Sequence, residues 1–241
     1  MFKRTVVIVC LGLLMAAGAA LAQVEEKSFT LGAGEPVRVA TVAGAVTVTA
    51  WDQPGQVRVK AVTKGEGVQP EMVREAGALA VREKHAEGGK ARDDHGSVDF
   101  EVFVPRDARV EIKTVSGAVR CEGLSGGVCL KTVSGDVEAK LGKPGPVELS
   151  SVSGQIRCAV GEGLPQKVNL RSVSGDIDLA LPSGAGATIS ARSVSGEMSF
   201  PAAWTGLHKR DGYGSVSLDG AVGPGGCAVN VTTVSGDFKL H

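Results

Sequence analysis

The sequence predicts an all-β protein, a parallel β-solenoid or β-helix built from two-strand repeats of about 20 residues. Three observations predict it. A Ser/Thr-Val-Ser-Gly string recurs along the chain, apolar residues alternate on both sides of each copy, and the composition combines 34 glycines with only 4% aromatic residues. Self-similarity at a fixed period is the signature of repeat architectures, and small residues suit narrow coils with tight corners.

The copies of the string are identified by their glycines: Gly44, Gly117, Gly135, Gly154, Gly175, Gly196 and Gly236. From Gly117 onward the glycines are separated by 18, 19, 21, 21 and 40 residues. The last interval holds two periods, with Asp211-Gly212-Tyr213-Gly214 as a degenerate copy in the gap. We therefore expect seven consecutive units from about Arg109 to the C-terminus. Each glycine is expected to form a corner with positive φ.

Within each unit, apolar residues stand seven and five positions before the glycine and two and four after it, as in Val110, Ile112, Val119 and Cys121. This pattern predicts two short strands, each with one apolar face, joined at the Ser-Gly corner. Stacked at about 4.8 Å per rung, the inward residues would form one continuous core. A β-sandwich or barrel of many short strands is the alternative. Near-identical units at a constant spacing favour the solenoid, because sandwich strands need not resemble one another.

The chain divides into three segments. Residues 1–22 have the pattern of a signal peptide: Lys3 and Arg4, an apolar run, then Ala20-Leu21-Ala22 as a cleavage site. The alternative is a membrane anchor, but the run reaches spanning length only by counting its Ala/Gly tail. Cleavage would leave no membrane span and send the protein to the periplasm or the cell surface. Residues 23–108 are expected to cap the array, and residues 109–241 to form it.

Two parts of the capping subregion are less regular. Residues 71–83 fit either a short helix or another strand, and a charged, glycine-rich loop is expected near residues 84–96.

Charge and cysteine content exclude some functions. Without Lys3 and Arg4, the mature chain carries two more acidic than basic side chains, whereas nucleic-acid binding needs a basic surface. Of its four cysteines, Cys121 and Cys158 share one inward register two rungs apart, roughly 9.6 Å by the rung spacing. A disulfide needs Cα atoms within about 7 Å, so we expect free thiols.

The rung register also predicts two charged ladders on the surface. A basic ladder stands four residues before the glycines: Lys113, Lys131, Arg171, Arg192 and Arg210. An acidic ladder stands one residue after them: Asp136, Asp176, Glu197 and Asp237. The simpler interpretation is that these charges keep the two faces soluble. The alternative is a ligand site in which Asp176 and Glu197, adjacent in the predicted stack, bind a cation or a polyvalent ligand, although calcium prefers six to eight oxygens.

The repeats, together with the start Phe29-Thr30-Leu31 and the export signal, resemble the bacterial putative-adhesin family of unknown function. The resemblance covers roughly Phe29 to Leu240. It implies an adhesin-like β-solenoid of the cell envelope, without catalytic residues to transfer. Some members occur in envelope-stress settings, which makes sensing or signalling an alternative role.

An enzyme acting on polysaccharides is the other alternative. Such chemistry needs converging carboxylates. Asp178 follows Asp176 on the same face, but spacing identifies no further partner, and the histidines lack metal-ligand spacing. We therefore expect no catalytic site, no cofactor and no metal.

The expected partners are an envelope protein, a polysaccharide or a second copy of the chain. The array is predicted to finish on Phe238-Lys239-Leu240, which would leave an open parallel edge. Open edges are templates for strand addition, so this C-terminal rung is the predicted point of self-association or docking. The sequence thus predicts a non-catalytic, exported binding or scaffold protein.

Overall fold

The computed structural model describes residues 23–85, 96–143, 145–161, 163–182 and 184–241. This part of the chain forms 21 strands and no helix. The predicted signal peptide and most of the predicted charged loop lie outside the described residues.

The strands form two sheets. Sheet A contains, in spatial order, β1 (Gln23–Thr30), β4 (Gln56–Lys64), β7 (Ser97–Pro105), β3 (Val46–Trp51), β9 (Val119–Glu122), β11 (Val137–Leu141), β13 (Ile156–Val160), β15 (Ile177–Ala180), β21 (Phe238–Leu240) and β17 (Met198–Ser199). Sheet B contains β18 (Leu207–Gly212), β19 (Ser215–Val222), β16 (Ala187–Ser195), β20 (Cys227–Ser235), β14 (Lys167–Ser172), β12 (Val147–Ser151), β10 (Val128–Thr132), β8 (Val110–Thr114), β2 (Val37–Thr41), β6 (Ala78–His85) and β5 (Val68–Glu75).

The predicted solenoid is confirmed. Each repeat contributes one strand to sheet B and the next to sheet A, and equivalent residues pair in parallel register, as Val110 does with Val128 and Val119 with Val137. The inward positions form one buried core of mostly valine, isoleucine and leucine between the two sheets. Burial is nearly complete: Val110, Leu130 and Ile156 have no exposed surface. Stacking therefore buries apolar faces that a single repeat could not bury alone.

The order of rungs in space differs from their order in the sequence. The last strands, β20 and β21, lie between the β14/β15 rung and the β16/β17 rung. The prediction of an open C-terminal edge is therefore wrong, because β21 has a parallel neighbour on each side. The degenerate copy at Asp211–Gly214 is not a rung either. It forms the turn between β18 and β19, which pair antiparallel and close the end of sheet B.

The other end of the array is built in a similar way. The first copy of the string joins β2 to β3, and this rung lies between β8/β9 and β6/β7. Outside it, β4 and β1 extend sheet A in antiparallel pairing, and β5 extends sheet B. The alternative of a helix over residues 71–83 is wrong. Those residues belong to the β5–β6 hairpin, which turns at Ala76 and Gly77, both with positive φ. Antiparallel hairpins protect edges that would otherwise be open.

The expectation that the corner glycines have positive φ is also wrong. None of them has positive φ. They are required because successive corners touch. A Cβ built on Gly135 would lie within 3 Å of the Gly117 carbonyl oxygen, and the same clash links Gly154 to Gly135 and Gly175 to Gly154. The contact continues from Gly175 to Gly236 and from Gly236 to Gly196, in the observed order of the rungs. Close approach of backbones, rather than the hand of the turn, selects glycine.

The first residue of each string lies inside this corner. Thr114, Thr132, Ser151, Ser172 and Thr233 are buried, and their hydroxyls have no hydrogen-bond partner. The first rung differs, because Thr41 donates to Glu83 Oε2 at 2.6 Å. A small side chain is needed here, since the Thr114 hydroxyl lies 3.2 Å from the position of a Cβ on Gly117. The polar atom is tolerated beneath the corner, although buried hydroxyls without partners are destabilising.

All four described cysteines are free. Cys121 and Cys158 lie inside the core on either side of Ala139, two rungs apart as predicted. Burial raises the pKa of the Cys121 and Cys158 thiols to about 12. Burial also raises the pKa of Cys227, and that of the outward, half-buried Cys129.

We expect Gly135→Ala to destabilise the protein by about 3 kcal/mol or to prevent folding, because the added methyl overlaps the Gly117 carbonyl. Gly142→Ala is the matched control, since the nearest atom to its new Cβ is 3.7 Å away and its φ is ordinary. The measurement is the urea midpoint of both variants. Equal midpoints would show that the corner contact does not limit the stack.

Thiol labelling tests the core. Of the four described cysteines, Cys129 alone should label quickly at pH 8 in the folded protein, because it is half exposed and the other three are buried neutral groups. Mass spectrometry of peptides after labelling identifies the site, and Cys129→Ser should abolish the fast phase. In urea, Cys121, Cys158 and Cys227 should label as well. Fast labelling of Cys121 in the folded protein would contradict the packed core.

Candidate functional site: three ladders at the corner

Three rows of outward side chains run along the edge where sheet B turns into sheet A. The basic ladder lies four residues before each corner glycine, and the acidic ladder lies one residue after it. Between them is a row of valines that we call the valine ridge. In spatial order it consists of Val42, Val115, Val133, Val152, Val173, Val234 and Val194.

The valine ridge was not predicted. Its members are 44–55% exposed, although valine is normally buried. Because the string recurs in successive rungs, the valines lie one above another along the stack. The Ser134 amide donates to the Val115 carbonyl and the Ser153 amide to the Val133 carbonyl, each at 2.8 Å. The sequence did contain a signal for this exposure. Side chains along a strand point alternately inward and outward, so the residue after the buried Thr or Ser has to point outward.

The basic ladder is more widely spaced than the sequence suggested. Sequential stacking would make Arg171, Arg192 and Arg210 neighbours. In the structure Thr232 lies between Arg171 and Arg192, and Ser217 lies between Arg192 and Arg210. Ser150 likewise separates Lys131 from Arg171. Lys113 and Lys131 remain direct neighbours. Like charges at most positions are therefore two strands apart, which reduces their repulsion.

Partners of the basic ladder are few. Lys131 Nζ lies 3.8 Å from Glu148 Oε1. Within the described residues, Arg171, Arg192 and Arg210 form no ion pair. The long basic side chains are thus available to a partner.

The acidic ladder bonds to the backbone. Asp136 Oδ1 accepts from the Gln155 amide at 3.0 Å, Asp176 Oδ1 from the Asp237 amide at 2.9 Å, and Asp237 Oδ1 from the Glu197 amide at 2.8 Å. Each carboxylate therefore ties its own corner to the corner of the next rung. Asp99 on β7 does the same for the Ala45 amide at 2.9 Å. Hydrogen bonds from an amide to a charged acceptor are stronger than neutral ones.

Asp176 and Glu197 are not adjacent, contrary to the sequential stack, because Asp237 lies between them. In the part of the chain that the structure describes, no three metal-ligating side chains converge. A ligand-binding role for the acidic ladder stays a prediction.

Asp178, the candidate for a second catalytic carboxylate, lies beside an amide, a guanidinium and an imidazole. Its Oδ2 accepts from Gln155 Nε2 at 2.8 Å, Arg157 Nε lies at 4.0 Å, and His241 Nε2 lies 3.7 Å from Oδ1. Beside this cluster, Lys140 and Arg120 lower the pKa of Glu138 to about 2. The Glu138 carboxylate is therefore a poor proton donor. A depression of about 560 Å³ beside Pro182 and Cys227 has no carboxylate in its lining.

The comparison with protein families agrees with this architecture. The Toastrack DUF4097 family matches residues 36–241. The chain belongs to this family. None of the curated proteins matches the Toastrack chain. Within the described residues, no helix has the length and apolarity to cross a membrane.

Solved structures similar to this Toastrack chain include one from Clostridium sporogenes and one from Bacteroides fragilis. A putative cell adhesion protein from Clostridium sporogenes has 14% identity and a TM-score of 0.45, and the alignment covers 90% of this chain and 99% of the other. A putative adhesin from Bacteroides fragilis has 12% identity and a TM-score of 0.43, with 92% and 99% covered.

Substitution of Asp176 separates the two roles of the acidic ladder. Asp176→Ala should destabilise the Toastrack chain by about 1 kcal/mol because the Asp237 amide loses its acceptor. Asp176→Asn should retain most of the stability, since the amide oxygen still accepts. Asp211→Ala, on the exposed hairpin, is the control. Calcium should leave every urea midpoint unchanged. A calcium-dependent rise that is lost in Asp176→Asn would support the ligand role instead.

Proposed function

We propose that the protein is a non-catalytic, exported component of the cell envelope that acts as an adhesin-like binding or structural scaffold. Its binding surface is the valine ridge with the flanking basic ladder. The single observation that supports this proposal most directly is the exposure of seven aligned valines, each 44–55% exposed.

The fold itself does not need these valines. The corner requires glycine for the backbone contact and a small residue inside it, but the ridge position points outward and touches neither. A polar residue that favours strands could adopt the same backbone conformation there. The seven side chains present on the order of a few hundred Å² of contiguous apolar surface, the size that marks interaction sites on soluble proteins.

The shape of the surface favours binding of an extended partner over catalysis. The ridge extends for roughly 29 Å, because six intervals of about 4.8 Å separate its ends. Chemistry requires a few groups that converge on one point. The residues here repeat along a line, as expected for contact with a protein, a polymer or a surface.

Site-specific photo-crosslinking in living cells tests the proposal. A photoreactive amino acid at Val133 or Val173 should give defined adducts with an envelope component. The same residue at Lys167 or Lys239, both exposed and away from the ridge, should give few or none. Equal adducts from all four sites, or none from the ridge, would contradict a binding role for the ridge. Release of reducing ends from envelope polysaccharides by the purified protein would contradict the non-catalytic role.

A further inference from the structure

We propose that the valine ridge is the interface of a two-fold symmetric homodimer in which two rods lie side by side and parallel. This inference rests on the proposed function and names the partner of the same surface, a second copy of this chain. It replaces the predicted contact at the C-terminal rung, which the stacking order of β21 rules out.

The argument begins with the charges on each rung. Lys131 and Asp136 lie on one rung, on opposite sides of the ridge. Arg171 and Asp176 share another. Arg192 and Glu197 share a third. Where the basic ladder is interrupted by Ser150, the acidic ladder carries the uncharged Gln155. Lys113 with Ala118 and Thr232 with Asp237 are the rungs whose two sides do not match. The two ladders thus carry opposite charges at mostly the same heights along the rod.

Symmetry then selects one arrangement. A two-fold axis parallel to the rods places each rung of one copy at the height of the same rung of the other. It also exchanges left and right, so that the basic ladder of each copy faces the acidic ladder of its partner. A two-fold axis perpendicular to the rods would make them antiparallel and place basic against basic. Only the parallel arrangement brings valine onto valine and opposite charges together, as a self-complementary interface requires.

The charged groups are free to make these contacts. Among the described residues, no ion pair joins the basic ladder to the acidic ladder within one chain. Asp136 and Asp176 use Oδ1 for the neighbouring amide, which leaves Oδ2 for a cation. Long Lys and Arg side chains can extend past the valines because the ridge carries only short ones.

The size of the surface predicts a weak dimer. The ridge is about 29 Å long, from six intervals of about 4.8 Å, and the strip from the basic to the acidic ladder is roughly 16 Å wide by the strand rise. These dimensions give about 900 Å² of buried surface for both copies together. Stable complexes bury more, so we expect association in the micromolar range that weakens as salt rises.

Thiol crosslinking distinguishes the arrangements. The background is the full chain with Cys10→Ser and Cys129→Ser, which removes the thiol outside the described residues and the half-exposed one. In the parallel dimer, Val133→Cys meets itself across the axis, and so does Val173→Cys. Each variant alone should therefore give dimers with a short bismaleimide. In an antiparallel dimer centred on Val152, the two positions would meet each other, and only a mixture of the variants would crosslink efficiently. Lys167→Cys is the exposed control.

Charge reversal provides the second measurement. Arg171→Glu with Arg192→Glu should weaken dimerisation in sedimentation by about tenfold or more, since it replaces four attractive pairs per dimer by repulsive ones. Lys143→Glu with Lys167→Glu makes the same change in net charge away from the ridge and should leave the dimer intact.

The outcomes separate the two proposals. Single-variant crosslinks that disappear on reversal of Arg171 and Arg192 support the parallel dimer. Photo-adducts at Val133 with another molecule, in a protein that sediments as a monomer at every concentration, would overturn the dimer and leave the binding role standing. An antiparallel crosslinking pattern would also overturn it. Absence of any ridge adduct or crosslink would overturn both proposals.

Discussion

The contact between successive corners is the constraint on which the rest of the structure depends. From Gly117 onward, each corner glycine lies directly against the carbonyl of the glycine in an adjacent rung, with no room for a Cβ, and Gly44 lies against the Val98 carbonyl in the same way. Rungs can therefore stack in only one lateral position, and every other residue of the repeat follows in register. The buried valines, the hydroxyls under the corner and the three outward ladders are all consequences of this one close approach.

Carboxylates also stabilise the contact between successive corners. At the corner between the two sheets, a backbone amide of the next rung donates a hydrogen bond to the carboxylate of Asp136, Asp176 or Asp237. At the first rung, where no corner string precedes, Glu83 accepts from the Thr41 hydroxyl and the Val42 amide. Asp99 accepts from the Ala45 amide. At these corners an acidic side chain thus supplies the acceptor for an exposed backbone amide.

The repeat predicts which residues stack, but it does not predict the order of the rungs. Any rung offers the same glycine, the same valines and the same hydrogen-bonding edge to any other. The repeat therefore does not predict which rungs are adjacent. Departures from the repeat decide the order. Strand β19 pairs antiparallel with β16, which must therefore lie at an end of the parallel stack, and β20 fills the space between β16 and β14. Likewise the valine ridge can be predicted from the alternation of inward and outward residues. The hydrogen bonds from backbone amides to the acidic ladder cannot, because they depend on the geometry of the corner.

The insertion of the last repeat also shapes the candidate site. If the rungs stacked in sequence, Arg171, Arg192 and Arg210 would stand on adjacent strands and repel one another. The inserted rung places Thr232 between the first two and adds Val234 to the ridge. It also carries Asp237, whose backbone amide donates to Asp176 and whose carboxylate accepts from the Glu197 amide. The topology that closes the end of the fold therefore produces a continuous apolar row with separated cations on one side and tethered anions on the other. That is the arrangement needed for a surface that recognises its own copy.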